Sequence, residues 1–150
     1  MLDKDDILES LFESLGVSTP DERGGLSRAS DRVLQGVAST SRGAVLSSFW
    51  RRESLSQTSG TPTYWLRQLP DAVLVEVLCE CPPRLAAERY AARKRHPGHF
   101  DDHKPAAELV WQFEQLAAAG PLGLGPLLRV DTRAEVDVEG LAQAVRRSAA

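Results

Sequence analysis

Between residues 72 and 98 the hydrophobic period changes once, and that change leaves few architectures open to the chain. AVLVEVLC at 72 to 79 is rich in branched side chains and reads as a buried strand. Pro82 and Pro83 then suit the first turn of a helix, and RLAAERYAARKR continues with helical spacing until Pro97 and Gly98 break it. A strand that feeds straight into a helix is half of a strand–helix–strand unit, whose next strand runs parallel to the first.

The remaining segments fit that unit. AVLSSFW supplies a short strand over 44 to 49, and LLRV supplies another over 127 to 130. Ile7, Leu8, Leu11, Phe12 and Leu15 form a stripe in DKDDILESLFESLG, with aspartates before it and Gly16 after it, which predicts a capped amphipathic helix. After a loop VSTPDERGG, the spacing of Leu26, Ala29, Val33, Leu34 and Val37 predicts a second helix ending near Gly43. Pro62 starts a short helix carrying Tyr64, Trp65 and Leu69; further helices are predicted over 105 to 119 and from about Val138 to Arg147. Strands alternating with helices give an α/β class: parallel strands, right-handed crossovers and helices on both faces.

Composition narrows the function. At 150 residues the chain is the size of one domain, and 42% hydrophobic with 26% charged residues is a globular balance. A net charge of -3 gives no overall attraction for nucleic acid. The charge is nevertheless uneven, because residues 1 to 22 are strongly acidic while Arg84, Arg89, Arg93, Lys94 and Arg95 face Glu88 alone. Two readings of that basic stretch stand: a solvated helix face, or a local anion site. No apolar run reaches the roughly 20 residues of a membrane span and no signal peptide is visible, so a cytoplasmic protein is expected. Cys79 and Cys81 lie two apart on one strand and read as reduced and structural; pairing them with His96 and His99 around zinc requires an uncommon spacing.

Four segments in order, LDKDDILESLFESLG, AVLSSFWRRE, VEVLCECPPRLAAERYAARKRHPGHFD and LLRVDT, resemble P-loop small-molecule kinases. These are the kinase-like proteins often labelled AAA-family ATPases, relatives by fold of chloramphenicol phosphotransferase and the zeta toxins. The resemblance implies a three-layer parallel sheet and an ATP- and Mg2+-dependent phosphotransferase acting on a hydroxyl of a small molecule. It makes residues 89–102 a lid, with Arg89, Arg93 and Arg95 gripping phosphates, as guanidinium forks do. Lys4, His96, His99 and Asp101 become lid or substrate contacts, with Asp101 near enough to hold a histidine; a purely surface role for the histidine pair stays open. Asp5 corresponds to the acid that accepts or orients the proton of the attacking hydroxyl, although Asp3, Asp5 and Asp6 equally suit helix capping.

Two departures accompany the resemblance. No G-x-x-x-x-G-K-[ST] loop occurs in the 150 residues, so the phosphate cradle of that family is absent from them. In AVLSSFW, where relatives commonly carry an acid near the strand end, this chain offers Leu46, Ser47 and Ser48; the serines can bind a ligand hydroxyl or a metal-bound water but bring no charge. The resemblance sets the strand that feeds the missing loop mid-sheet, between those at 44 to 49 and 72 to 79. Its absence predicts unpaired inner edges and marginal stability. Two explanations follow: Met1 is an internal methionine of a longer product, or the short chain is a degenerate, non-catalytic binding module that dimerises or takes a partner strand.

Overall fold

The computed structural model describes residues 1–52, 60–100 and 104–150. The fold is mixed α/β, and it divides into two compact units, one of Met1–Gln68 with Lys94–Asp102 and one of Leu69–Arg93 with His103–Ala150.

The first unit opens with a two-residue strand, β1 (Leu2–Asp3), and the helix α1 (Lys4–Leu15). Asp3 is the N-cap of α1, accepting from the Asp5 amide at 2.8 Å, and Gly16 ends the helix at φ 75°. Both ends fall where the sequence sets them. The second helix, α2 (Pro20–Thr40), begins six residues earlier than the apolar stripe suggests, so most of the expected loop VSTPDERGG is helical. A capping box explains the difference. Thr19 Oγ1 accepts from the Glu22 amide at 3.2 Å, Glu22 accepts from the Thr19 amide at 3.1 Å, and Pro20 is already set for the first turn. Leu8, Phe12 and Leu34 form the buried centre of this helix pair, whereas Val33 and Val37, expected on the apolar stripe, are 44% and 41% exposed.

The strand expected over 44 to 49 contracts to β2 (Leu46–Ser47), parallel to β1 with Leu2 opposite Leu46 and Asp3 opposite Ser47. Beyond it Trp50 bridges Thr61, and the two segments approach so closely at Gly60 (φ 95°) that a Cβ there would sit 2.9 Å from the Phe49 carbonyl oxygen. Glycine is required on both counts. The short helix expected after Pro62 is a single 3-10 turn, Leu66–Gln68.

In the second unit β3 (Glu76–Glu80) and β4 (Leu127–Asp131) pair in parallel from Glu76 opposite Leu127 to Glu80 opposite Asp131. Residues 72 to 75 of the expected strand precede the ladder. The helices α3 (Pro83–Ala92) and α4 (Ala106–Ala119) pack together through Tyr90 and Phe113, with ring centroids 6.1 Å apart. α3 stops short of the expected Arg95. Arg93 is extended (φ -78°, ψ 142°), consistent with three successive cations and with the bias of His96, before Pro97, against helical geometry. The last helix, α5 (Val138–Ser148), is capped by Asp137, whose Oδ1 accepts from the Gly140 amide at 2.9 Å.

Among the described residues the strands form two separate two-stranded parallel sheets, β1–β2 and β3–β4. The sheet has not closed into one ladder. Cys79 and Cys81 are not joined to each other; Cys79 is exposed and Cys81 half-buried, so the structural role expected of the first is not one of core packing. No helix among the described residues is long and apolar enough to cross a membrane.

Candidate functional site

In open α/β sheets, ligands meet the carboxyl ends of the strands. In the first unit those ends are Asp3 and Ser47, and the residues just after them carry most of the expected site.

Asp3 is occupied by capping, which leaves Asp5 for other work. Arg95 Nη2 donates to Asp5 Oδ2 at 2.6 Å, with the arginine side chain largely buried and the aspartate about half exposed. One carboxylate caps the helix while the other holds a cation. Lys4 turns inward instead. Its Nζ donates to Ser27 Oγ at 2.9 Å and lies 3.0 Å from Asp31 Oδ1. Thr61 Oγ1 donates to the same Asp31 oxygen at 2.8 Å and lies 2.6 Å from Ser48 Oγ. Lys4 and Ser48, proposed separately from the sequence, thus join one polar network through Asp31 and Thr61, which the sequence reading missed. A signal existed, because Asp31 shares a helical face with Ser27 and with the buried Leu34, and a carboxylate beside buried apolar packing needs a partner.

The turn Pro97–His99 is fastened to α1. His96 Nδ1 accepts from the Gly98 amide at 3.0 Å, so Nε2 carries the proton and donates to Glu13 Oε1 at 3.1 Å. His99 Nε2 meets Glu9 Oε1 at 2.7 Å, its ring is buried, and its Nδ1 has no partner among the described residues. Phe12 lies against both rings, with centroids at 5.3 and 5.4 Å. The histidine partners are therefore Glu9 and Glu13, one helical turn apart; Asp101, the partner proposed from the sequence, lies outside the described residues.

The three arginines are divided. Arg95 belongs to the first unit; Arg89 and Arg93 belong to the second. Arg89 donates to the backbone oxygens of Thr132 at 2.8 Å and Arg133 at 3.3 Å, and the Arg93 guanidinium stands 5.0 Å from the centroid of the Tyr90 ring. Nearby, the side-chain and backbone hydrogen bonds from Arg133 hold the Asp131 carboxyl below its usual range, and Asp131 in turn raises Arg133.

These engagements bear on the implied ATP and Mg2+. Arg89 already serves two carbonyls, no phosphate loop is present in the sequence, and no group of three or more metal-ligating side chains occurs among the described residues. The described residues do not by themselves fit a magnesium–triphosphate group.

No protein-family model matches the chain, and no curated protein matches it in sequence. A solved structure does resemble it: that of a "putative kinase" from Chloroflexus aurantiacus J-10-fl, 24% identical, with a TM-score of 0.71 over 98% of this chain and 82% of the other. The two share a fold.

Proposed function

We propose that these residues form the acceptor-binding side of a kinase-like phosphotransferase that acts on a hydroxyl of a small molecule. Asp5 carries the reading: it is a carboxylate beyond the carboxyl end of β1, about half exposed, and held by Arg95. Such a carboxylate accepts a hydrogen bond from an incoming hydroxyl and orients its oxygen for attack. The shared fold with a protein named as a kinase supports the class. A three-layer P-loop arrangement is part of the same proposal, as is a cytoplasmic setting. The described residues do not by themselves fit the triphosphate, so its grip is no part of the role given to them here. ATP with Mg2+ would supply the phosphoryl group; Asp5 and its surroundings supply acceptor orientation.

The test compares this chain with a version extended by the in-frame upstream sequence. Calorimetric titration should give weak or absent Mg-ATP binding for the 150 residues and clear binding for the longer protein. Asp5→Asn in the longer protein should keep Mg-ATP binding and lose transfer to hydroxyl compounds. Tight metal-dependent binding by the 150 residues alone, or undiminished transfer by the variant, would overturn the reading.

A second reading has its own observation. Among the described residues each sheet has two strands, so each offers backbone edges to an added strand, as a non-catalytic module would to a partner or to a second copy. A stable, stoichiometric dimer without Mg-ATP binding in either version would favour it.

A further inference from the structure

The network that ends at Ser48 has a direction. Thr61 is fully buried and its hydroxyl has one proton. Asp31 Oδ1, which already lies 3.0 Å from the Lys4 ammonium, is an acceptor, so Thr61 gives that proton to it across 2.8 Å. Thr61 Oγ1 then has only lone pairs to offer Ser48. In the 2.6 Å contact between the two hydroxyls Ser48 must be the donor. Its proton is committed inward, and Ser48 Oγ has no other hydrogen-bond partner among the described residues. The residue is partly exposed and immediately follows β2, at the carboxyl end of the parallel pair.

We propose that Asp31, acting through Thr61, fixes Ser48 as an acceptor-only group that receives a hydroxyl proton from a small-molecule ligand. A free serine hydroxyl turns to suit a donor or an acceptor; this one is set for donors. It therefore welcomes an alcohol and gives nothing to an ether, a carboxylate or a phosphate oxygen at the same place. Lys4 keeps the direction in force, because its ammonium, 3.0 Å from the same oxygen, is a second donor there and holds Asp31 Oδ1 in place as the acceptor. Asp31 is a positioning residue and Ser48 is the ligand contact. That the ligand is a hydroxyl compound rests on the phosphotransferase reading, whereas the direction of the hydrogen bonds does not.

The test uses the 150-residue chain, amide NMR, and two probes: xylitol, and xylitol methylated on every oxygen. Xylitol should give saturable shifts at the amides of Ser48 and Phe49, and the methylated probe should give none. Ser48→Ala should abolish the shifts. Thr61→Val, which frees the serine proton, should weaken the xylitol response at least about fivefold, since a neutral hydrogen bond is worth roughly 1 kcal/mol; Thr61→Ser should restore it. Equal responses to the two probes, no saturable response to either, or an undiminished response in Ser48→Ala would overturn the proposal. Should Thr61→Val fail to fold, the two probes and Ser48→Ala still decide it. Loss of phosphoryl transfer in the extended protein with xylitol binding intact would sink the enzymatic reading and leave this one standing.

Discussion

Arg95 Nη2 lies 2.6 Å from Asp5 Oδ2, although ninety residues separate the two in sequence. The pair ties the start of α1 to the segment that leaves the second unit and re-enters the first. Because Asp5 is about half exposed, water and salt screen the attraction. A double-mutant cycle of Asp5→Ala and Arg95→Ala, followed by urea denaturation, should give a coupling of about 1 kcal/mol or less. It should shrink in high salt; a coupling insensitive to salt would contradict the screened picture.

Glu76 is a buried acid that serves the backbone. Its two carboxylate oxygens accept from the amides of Leu122 at 2.6 Å and Gly123 at 3.0 Å, holding the turn before β4. Glu76→Gln turns one acceptor into a donor facing an amide, which should cost roughly 1–3 kcal/mol. Hydrogen exchange should accelerate at Leu122 and Gly123 before the rest of β4, and unchanged exchange there would remove this role.

Gly98 has no room for a side chain. A Cβ would stand 2.5 Å from Val17 Cγ1 and 2.8 Å from Phe12 Cδ2, in the packing that fastens the turn to α1. Gly98→Ala should destabilise by about 1–3 kcal/mol through overpacking. The ring signals of His96 and His99 should move together in its NMR spectrum, because both imidazoles depend on that seating.

Glu22 makes the first turn of α2 sensitive to acid. Hydrogen bonds from the Ser18 and Thr19 amides, the former the larger cause, hold its carboxyl below the ordinary 4.5. A folded value below the unfolded one means the stabilisation is fully present above pH 4.5 and is lost as the pH falls through the lowered value. The Ser18 and Thr19 amide shifts should therefore titrate together with a midpoint below 4.5, and in Glu22→Gln the step should vanish.

Much of this was legible in the residues. Asp3 and Gly16 frame α1, Asp137 opens α5, and the apolar run before Asp131 marks β4, since caps and short branched runs are local signals. What escaped was set by distant partners. β1 is too short to show a period and exists because Leu2 finds Leu46, while Gly24 and Gly25 disguised the first turns of α2 despite the Thr19–Glu22 box. Asp5, Lys4 and Ser48 drew attention by type, but Asp31 and Thr61 acquire meaning only once α2 and the segment after Gly60 converge. Arg93 reads as helical with Arg89 by spacing alone, because the adjoining cations and the bias of His96 before Pro97 disfavour a further turn without fixing where the helix stops.

Both ladders join strands that are remote along the chain, Leu2 with Leu46 and Glu76 with Leu127, and neither is a hairpin. Closing such long loops costs entropy before any ladder hydrogen bond forms, so the contacts of α1 with α2 and of α3 with α4 should develop ahead of strand pairing. Until the ladders zip, the exposed edges of early intermediates are open to other chains. The yield on refolding should accordingly fall as protein concentration rises, at constant final conditions.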